Sequence, residues 1–394
     1  MRSLVARGWN WCSGRSGWFA FVSIVMGLPL LTSGLSADAA TVRAPLTSAV
    51  STSSDSWLML PMGELSVRNN TFWQLLHAVP GSSHWSVVTP EGVADNGGLV
   101  AGTAGGSIAV GFVPSQLLRY SPLARSSDGG ATWSPQLLPA GLAPQPDALA
   151  YTAVPGGALA VIAGNRVLSA PPSLSHWSLL VSAPRLARVP AGCGVTTIDA
   201  VAILPTGSPL VATGCRRNGV GIFTKTGGAW SWYGTMLRAP SRSATDVLRL
   251  EASGTTVAAF AATSRGGRRA LVALWREGGA PWTAAAPLPL PARASVLASA
   301  VGEDGALAVV LGSPRAGVTA FSIEPGGAWA RLASPPAGTA AIALPSGPTA
   351  MESPTVDAFT VQGGSFGVYA LSPIGSTWVR VQSSQIAIPY GSSG

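Results

Sequence analysis

Past residue 40 the chain reads as short apolar stretches cut by clusters of Gly, Pro, Ser and Asp, with no sustained helical period and no helix caps. Four of these stretches follow a Gly-bearing turn in one register: PGGALAVIAG (155–164), PTGSPLVATG (205–214), ASGTTVAAFA (252–261) and EDGALAVVLG (303–312). Tryptophans recur between them. Trp85, Trp133, Trp177, Trp230, Trp282, Trp329 and Trp378 each follow a polar or Gly-rich turn, at spacings of 48, 44, 53, 52, 47 and 49 residues. Each unit therefore reads as strand, Gly turn, strand, loop, strand, Gly turn and a Trp-bearing strand. Short alternating strands between turn formers are the all-β pattern, and four strands in about 40–50 residues make one propeller blade. The prediction is a seven-bladed β-propeller with four-stranded antiparallel blades. Six and eight blades are the rival counts, because residues 45–90 are poorly patterned.

One turn carries a family motif. Ser126-Ser127-Asp128-Gly129-Gly130-Ala131-Thr132-Trp133 matches the Asp-box pattern S-x-D-x-G-x-T-W at every fixed position: Ser126, Asp128, Gly130, Thr132 and Trp133. The chain resembles the Asp-box (BNR repeat) propellers, which include sialidases, other glycoside hydrolases, sortilin-type receptors and photosystem-assembly propellers. The resemblance implies a hairpin between the third and fourth strands of a blade. Asp128 suits an Asx-turn and the glycines suit φ > 0, while Trp133 is expected to pack between blades. The other six copies keep the Gly and Trp but lose the Asp.

Composition follows from such a stack. Only 10% of residues are charged and 47% are hydrophobic, with 48 Gly and 32 Pro, which excludes disorder and coiled coil. A mean hydropathy of +0.36 hints at a membrane protein, yet beyond residue 35 no apolar run approaches the ~20 residues of a spanning helix. Blades that bury both faces need apolar residues and glycine, and few charges.

Residues 1–39 read as an export signal. Arg2, Arg7 and Arg15 precede the apolar core Trp18–Leu31, and Ala37-Asp38-Ala39 is an A-x-A cleavage site. An uncleaved anchor is the alternative, and would be the one membrane contact. Residues 41–394 are then a single propeller domain, secreted or otherwise extracytoplasmic and expected to be monomeric. Cys193 and Cys215 bracket a strand–turn–strand segment, so in an oxidising compartment they are expected to form a disulfide. The last apolar segment, Gln385–Tyr390, is expected to close the ring by pairing into the first blade beside Trp57-Leu58-Met59-Leu60.

The resemblance raises an enzyme reading, so its chemistry must be sought. Sialidase-like propellers use three arginines, a Tyr–Glu pair, an Asp acid/base and an early aromatic-Arg-Ile-Pro motif. Here Arg68 lies in SVRNNTF, with neither the aromatic before it nor the Pro after it. None of the five tyrosines stands in a catalytic context. Most acids fall in turns, where they act as turn formers. Asp199, Asp246 and Asp357 are exceptions in apolar, strand-like contexts. They are expected at corresponding channel-lining positions of different blades, making structural hydrogen bonds first and ligand contacts second. His84 and His176 share one repeat position and His77 stands alone, so neither a His metal site nor a triad base is placed. Gly363-Gly364-Ser365-Phe366-Gly367 lacks the strand–turn–helix context of a nucleophile elbow. No cofactor or metal is expected.

The formal charge is +8, or +6 without the leader, and all basic residues but Lys225 are Arg. Arg216-Arg217 and the Arg265–Arg269 run fall at predicted loop tips, too small as clusters for nucleic acid. The expectation is an exported, non-catalytic binding or scaffold propeller whose partner is a protein, a glycan or an envelope polymer. A sialidase-like glycoside hydrolase and an assembly factor for a membrane complex are the alternatives.

Overall fold

The computed structural model describes residues 49–385 apart from short internal stretches, the longest being 63–72, 91–97, 113–121, 138–145 and 345–355. The export signal (1–39), Arg68 and segment 386–390 lie outside the described residues.

Seven antiparallel four-stranded blades form the ring, each built from strands consecutive in sequence. Blade 1 comprises Ala49–Ser51, Ser56–Pro61, Trp73–Ala78 and Ser86–Val87; blade 2, Gly98–Thr103, Ser107–Phe112, Pro122–Ser126 and Ser134–Leu137. Blade 3 comprises Ala148–Thr152, Gly157–Ile162, Arg166–Ala170 and Ser178–Ser182; blade 4, Val195–Ile203, Pro209–Cys215, Gly219–Thr226 and Ala229–Arg238. Blade 5 has Ser243–Ser253, Thr256–Arg265, Arg268–Glu277 and Thr283–Ala284, with Leu288–Pro289 added beside its third strand. Blade 6 comprises Ser295–Val301, Leu307–Ser313, Gly317–Ile323 and Ala330–Arg331; blade 7, Thr339–Ala343, Asp357–Gln362, Ser365–Leu371 and Trp378–Gln385. One helical turn, Ala183–Leu186, is the only α-helix among the described residues, and no described helix is long and apolar enough to cross a membrane.

Hairpin chemistry sets the strand order. In blade 5, Arg265 pairs with Arg268 across a two-residue loop whose Gly266 and Gly267 have φ of 55° and 77°. Such a turn needs positive φ at both positions, which glycine adopts without steric cost. Because successive strands run antiparallel, first-to-second and third-to-fourth turns emerge on one face of the ring. Second-to-third turns and blade-to-blade connections emerge on the other.

The core lies between blades. All seven repeat tryptophans stand at or next to the start of a fourth strand, and each packs against the preceding blade's cluster. Trp85 completes the circle by packing on blade 7, edge-on to Phe359 with ring centres 5.0 Å apart. Cys193 and Cys215 form the expected disulfide, their Cα atoms 5.3 Å apart, across the hairpin that pairs Val195 with Cys215.

Most of the segment expected to close the ring, 386–390, lies outside the described residues. Trp57–Leu60 lies between Ala49–Ser51 and Trp73–Ala78 of its own blade, so neither edge of that strand is open to Gln385–Tyr390. Gln385 instead ends the fourth strand of blade 7, opposite Ser365. Among the described residues, side-chain hydrogen bonds join blades 7 and 1.

Candidate functional site

The Asp-box turn lies between the third and fourth strands of blade 2. Asp128 Oδ1 accepts from Ser126 Oγ (2.7 Å) and from the Thr132 N–H (2.9 Å), and Oδ2 accepts from Thr132 Oγ1. These donors, led by the Thr132 hydroxyl, hold the Asp128 carboxyl down at about 2. Ser126 Oγ also accepts from the Gly130 N–H (2.8 Å). Gly130 has φ of 87°, and a Cβ there would stand 2.9 Å from Val88 Cβ of blade 1. Only glycine lets the turn press so closely on its neighbour. Trp133 packs on the blade 1 cluster. The motif is thus a joint between blades.

His77 is not alone. Its Nε2 lies 2.7 Å from Asp55 Oδ1 and its ring stacks on Trp57, while Asp55 Oδ2 accepts from the Gly106 N–H of blade 2 (2.9 Å). This network crosses from blade 1 to blade 2 beneath the Asp-box, whose Gly129 N–H donates to the Gly106 carbonyl.

The three strand-borne aspartates do not share one position. Asp199 and Asp246 lie on the inner strands of blades 4 and 5, but Asp357 opens the second strand of blade 7. The expected alignment along the channel fails because the repeats differ in β-bulges. Asp199 is the unpaired bulge residue between Ile198 and Ala200, whereas the blade 5 bulge falls on Leu248, two residues beyond Asp246. Asp199 Oδ2 accepts from the Val247 N–H (3.2 Å) and so ties blade 4 to blade 5.

Asp357 has a similar duty at the closing seam. It is 2% exposed, and its Oδ2 accepts from Trp85 Nε1 (2.9 Å). Burial pushes its carboxyl up to about 6, partly offset by the indole hydrogen bond. Gln382 sits alongside: its Oε1 accepts from the Trp85 N–H (2.7 Å) and its Nε2 donates to the Trp85 carbonyl (2.9 Å). One side-chain amide thereby imitates a rung of a β-ladder between blades 7 and 1.

A different arrangement borders the channel, and the internal repeat exposes it. Four inner strands carry the same bulge, at Ile198/Ala200, Val247/Arg249, Val296/Ala298 and Thr339/Ala341. Aligned on it, the first residue after the bulge is Ala200, Arg249, Ala298 and Ala341. Two residues on stand Ala202, Glu251, Ala300 and Ala343. Blade 5 alone places a guanidinium and a carboxyl where the other three place buried methyl groups. Arg249 Nε donates to Ser299 Oγ of blade 6 (3.3 Å).

The inner strands of blades 5 and 6 also lack the close approach seen between the other neighbouring inner strands. Arg249 reaches across to blade 6 there, while Glu251 faces the channel. Glu251 forms no direct ion pair with Arg249, and among the described residues nothing donates a hydrogen bond to its carboxylate. Burial pushes the Glu251 carboxyl up to about 7 against the attraction of Arg249, and burial likewise lowers the Arg249 guanidinium.

Glu251 and Ala252 line a cavity of about 50 Å³ at the channel mouth, with Val50, Leu149, Tyr151 and Ile203 among its other walls. Pockets that enclose a drug-sized ligand run from about 300 Å³ upward, so this mouth admits a few atoms. Among the described residues no group of three His, Cys, Asp or Glu is placed to hold a metal ion.

No family model and no curated protein matches this chain. Solved structures do. A protein from Lactobacillus plantarum is 14% identical over 84% of this chain and 96% of its own, with a TM-score of 0.51. The Aleuria aurantia lectin in complex with α-methyl-L-fucoside is 12% identical over 89% and 99%, with a TM-score of 0.42. The polysaccharide lyase Uly1 is 9% identical over 73% and 80%, with a TM-score of 0.47. At such identities the likeness is one of fold.

Proposed function

We propose that this protein is a non-catalytic binding or scaffold propeller that works outside the cytosol. The observation that carries this reading is where its acids go. Asp55, Asp199 and Asp357 bind donors of a neighbouring blade, while Asp128, Asp147 and Asp304 hold turns or connections. These carboxylates are spent on keeping a ring rigid. A rigid ring presents its turns as a fixed surface, which lowers the ordering cost of binding. The disulfide and the export-signal reading of residues 1–39 support the compartment.

The glycoside hydrolase reading has one observation in its favour. A carboxyl held at about 7, like Glu251, is what a general acid needs near neutral pH. One experiment separates the two. The full chain is run through native gels containing single polysaccharides, neutral and anionic, and the same mixtures are assayed for new reducing ends and for unsaturated products. Retardation without products supports the binding reading. Products that vanish in Glu251→Gln overturn it in favour of an enzyme.

A further inference from the structure

In sequence the arginines look scattered, but strand polarity sorts them. The face carrying second-to-third turns and blade connections receives eight across blades 3 to 6. Arg166 opens the third strand of blade 3, Arg185 and Arg188 lie on the connection to blade 4, and Arg216 is on the turn of blade 4. Arg265, Arg268 and Arg269 flank the turn of blade 5, and Arg293 lies on the connection to blade 6. Seven of the eight are exposed. Among the described residues the turns and connections of this face hold one acid, Asp147, whose Oδ2 already accepts from the Gly164 N–H (2.6 Å). The opposite face is mixed: Asp55, Asp128, Asp304, Glu324 and Glu277 lie on or beside its turns, alongside Arg125, Lys225, Arg276, Arg331 and Arg380.

We propose that the arginine-bearing face is a docking surface for an anionic polysaccharide. This rests on the binding reading above and names the partner. Arg265 and Arg268 are direct cross-strand partners, a like-charge pairing that costs stability unless something negative lies over it. Among the described residues no carboxylate forms an ion pair with either arginine. Guanidinium is the group suited to carboxylate, sulfate or phosphate esters, through two parallel N–H donors. The cations repeat from blade to blade along an arc, which matches a polymer with recurring charge.

The disulfide stiffens the middle of that arc. It joins the blade 3–4 connection to the turn of blade 4, where the Arg216 N–H donates to the Gly194 carbonyl (3.0 Å). A bilayer fits less well. The exposed large apolar side chains Val79, Val87, Leu179, Val379 and Val381 stand on fourth strands or near the opposite face, leaving this face no apolar anchor among the described residues.

The test measures retention of the full chain by polygalacturonate, dextran sulfate, uncharged dextran and vesicles of phosphatidylcholine with phosphatidylglycerol, at about 50 to 300 mM salt. The expected result is retention by the two anionic polymers, falling steeply with salt, and none by dextran. The variant Arg166→Ser, Arg216→Ser, Arg265→Ser, Arg268→Ser should bind at least about tenfold more weakly. The opposite-face variant Lys225→Ser, Arg331→Ser should change less than about twofold. All the substituted positions lie on strand ends or turns, and circular dichroism confirms that both variants fold.

Equal losses in the two variants would overturn the proposal, because attraction would then follow net charge rather than this face. Vesicle binding as tight as polymer binding would overturn it in favour of a membrane. Salt-insensitive binding to dextran would overturn the anionic ligand yet leave the binding reading standing. Polymer cleavage would instead strike at that reading.

Discussion

The seam between blades 7 and 1 buries a carboxyl and the inner strand of blade 5 half-buries one, and the two are treated in opposite ways. At the closing seam Asp357 receives the Trp85 indole N–H, Gln382 holds both backbone groups of Trp85, and Phe359 meets the ring edge-on. At the other, Glu251 receives no donor among the described residues and the inner strands stand apart. One seam converts polar burial into adhesion, and the other tolerates polar burial at the channel. A fully satisfied buried network stiffens a structure, and a partly satisfied one weakens it. Among the described residues, blades 7 and 1 are held by satisfied side-chain contacts centred on Trp85.

The strongest way to break this comparison is to remove the closing indole. Trp85 is 1% exposed, and Trp85→Ala leaves both a cavity and an Asp357 carboxyl without its donor. A loss of about 3–5 kcal/mol is expected in urea denaturation. Trp329→Ala, at the 5/6 seam, removes an indole that is only partly buried and should cost less than half as much. Equal costs would mean that the closing seam has no special standing.

Next in size is pH. Asp357 rises from 3.8 to about 6 on folding, and Glu251 from 4.5 to about 7. For both the folded state keeps a proton that the unfolded chain releases, so stability is highest in acid and falls as pH rises through 4 to 7. Asp128, held down at about 2, acts in the other direction but only below about pH 4. Asp357 should contribute about 2–3 kcal/mol to the difference between pH 4 and pH 8. Glu251 should add less, because it borders solvent at the channel mouth. Unfolding free energies at the two pH values check the sign, and Asp357→Asn should flatten most of the slope. Greater stability at pH 8 would refute the assignment.

The 5/6 seam makes a third prediction, of opposite sign to the first. Replacing Arg249 and Glu251 together by Ala gives blade 5 the residues that blades 4, 6 and 7 already carry at these positions. Exchanging buried charges for packed apolar groups is often stabilising, here by about 1–3 kcal/mol. Glu251→Ala alone should be worse than the double variant, because it removes a carboxylate that attracts the Arg249 guanidinium while leaving that charge in place. A double variant less stable than the wild type would show that these charges hold the seam together.

Much of this was legible before any coordinates. The Trp register, the Gly turns, the Asp-box hairpin and the Cys193–Cys215 bridge depend on local spacing, and local spacing survives in the structure. What the sequence concealed depends on strand parity and bulges. Arg166, Arg216 and Arg265 lie far apart in the chain, and only the alternation of strand direction brings them to one face. Arg249 and Glu251 sit inside an apolar strand and announce themselves only when four inner strands are aligned on their bulges. The position of the bulge likewise sets Asp199 and Asp246 two residues out of register. Gln382 gave no signal, since a side chain that replaces a strand leaves no period behind it.

That amide supplies the finest test of the closing seam. Gln382→Ala removes both hydrogen bonds to the Trp85 backbone while leaving the indole in its cluster and its donor on Asp357. Two neutral hydrogen bonds near the rim should be worth about 1–2 kcal/mol together. If the amide is a substitute ladder rung, the damage should also be local. Amide exchange at Trp85 should speed up by about tenfold or more. Exchange within the central strands of blades 3 and 4, on the far side of the ring, should change only by the global loss. Uniform acceleration around the ring would show that blades 7 and 1 open together with the rest. Faster exchange confined to Trp85 and its neighbours would establish the closing seam as the first part of the propeller to let go.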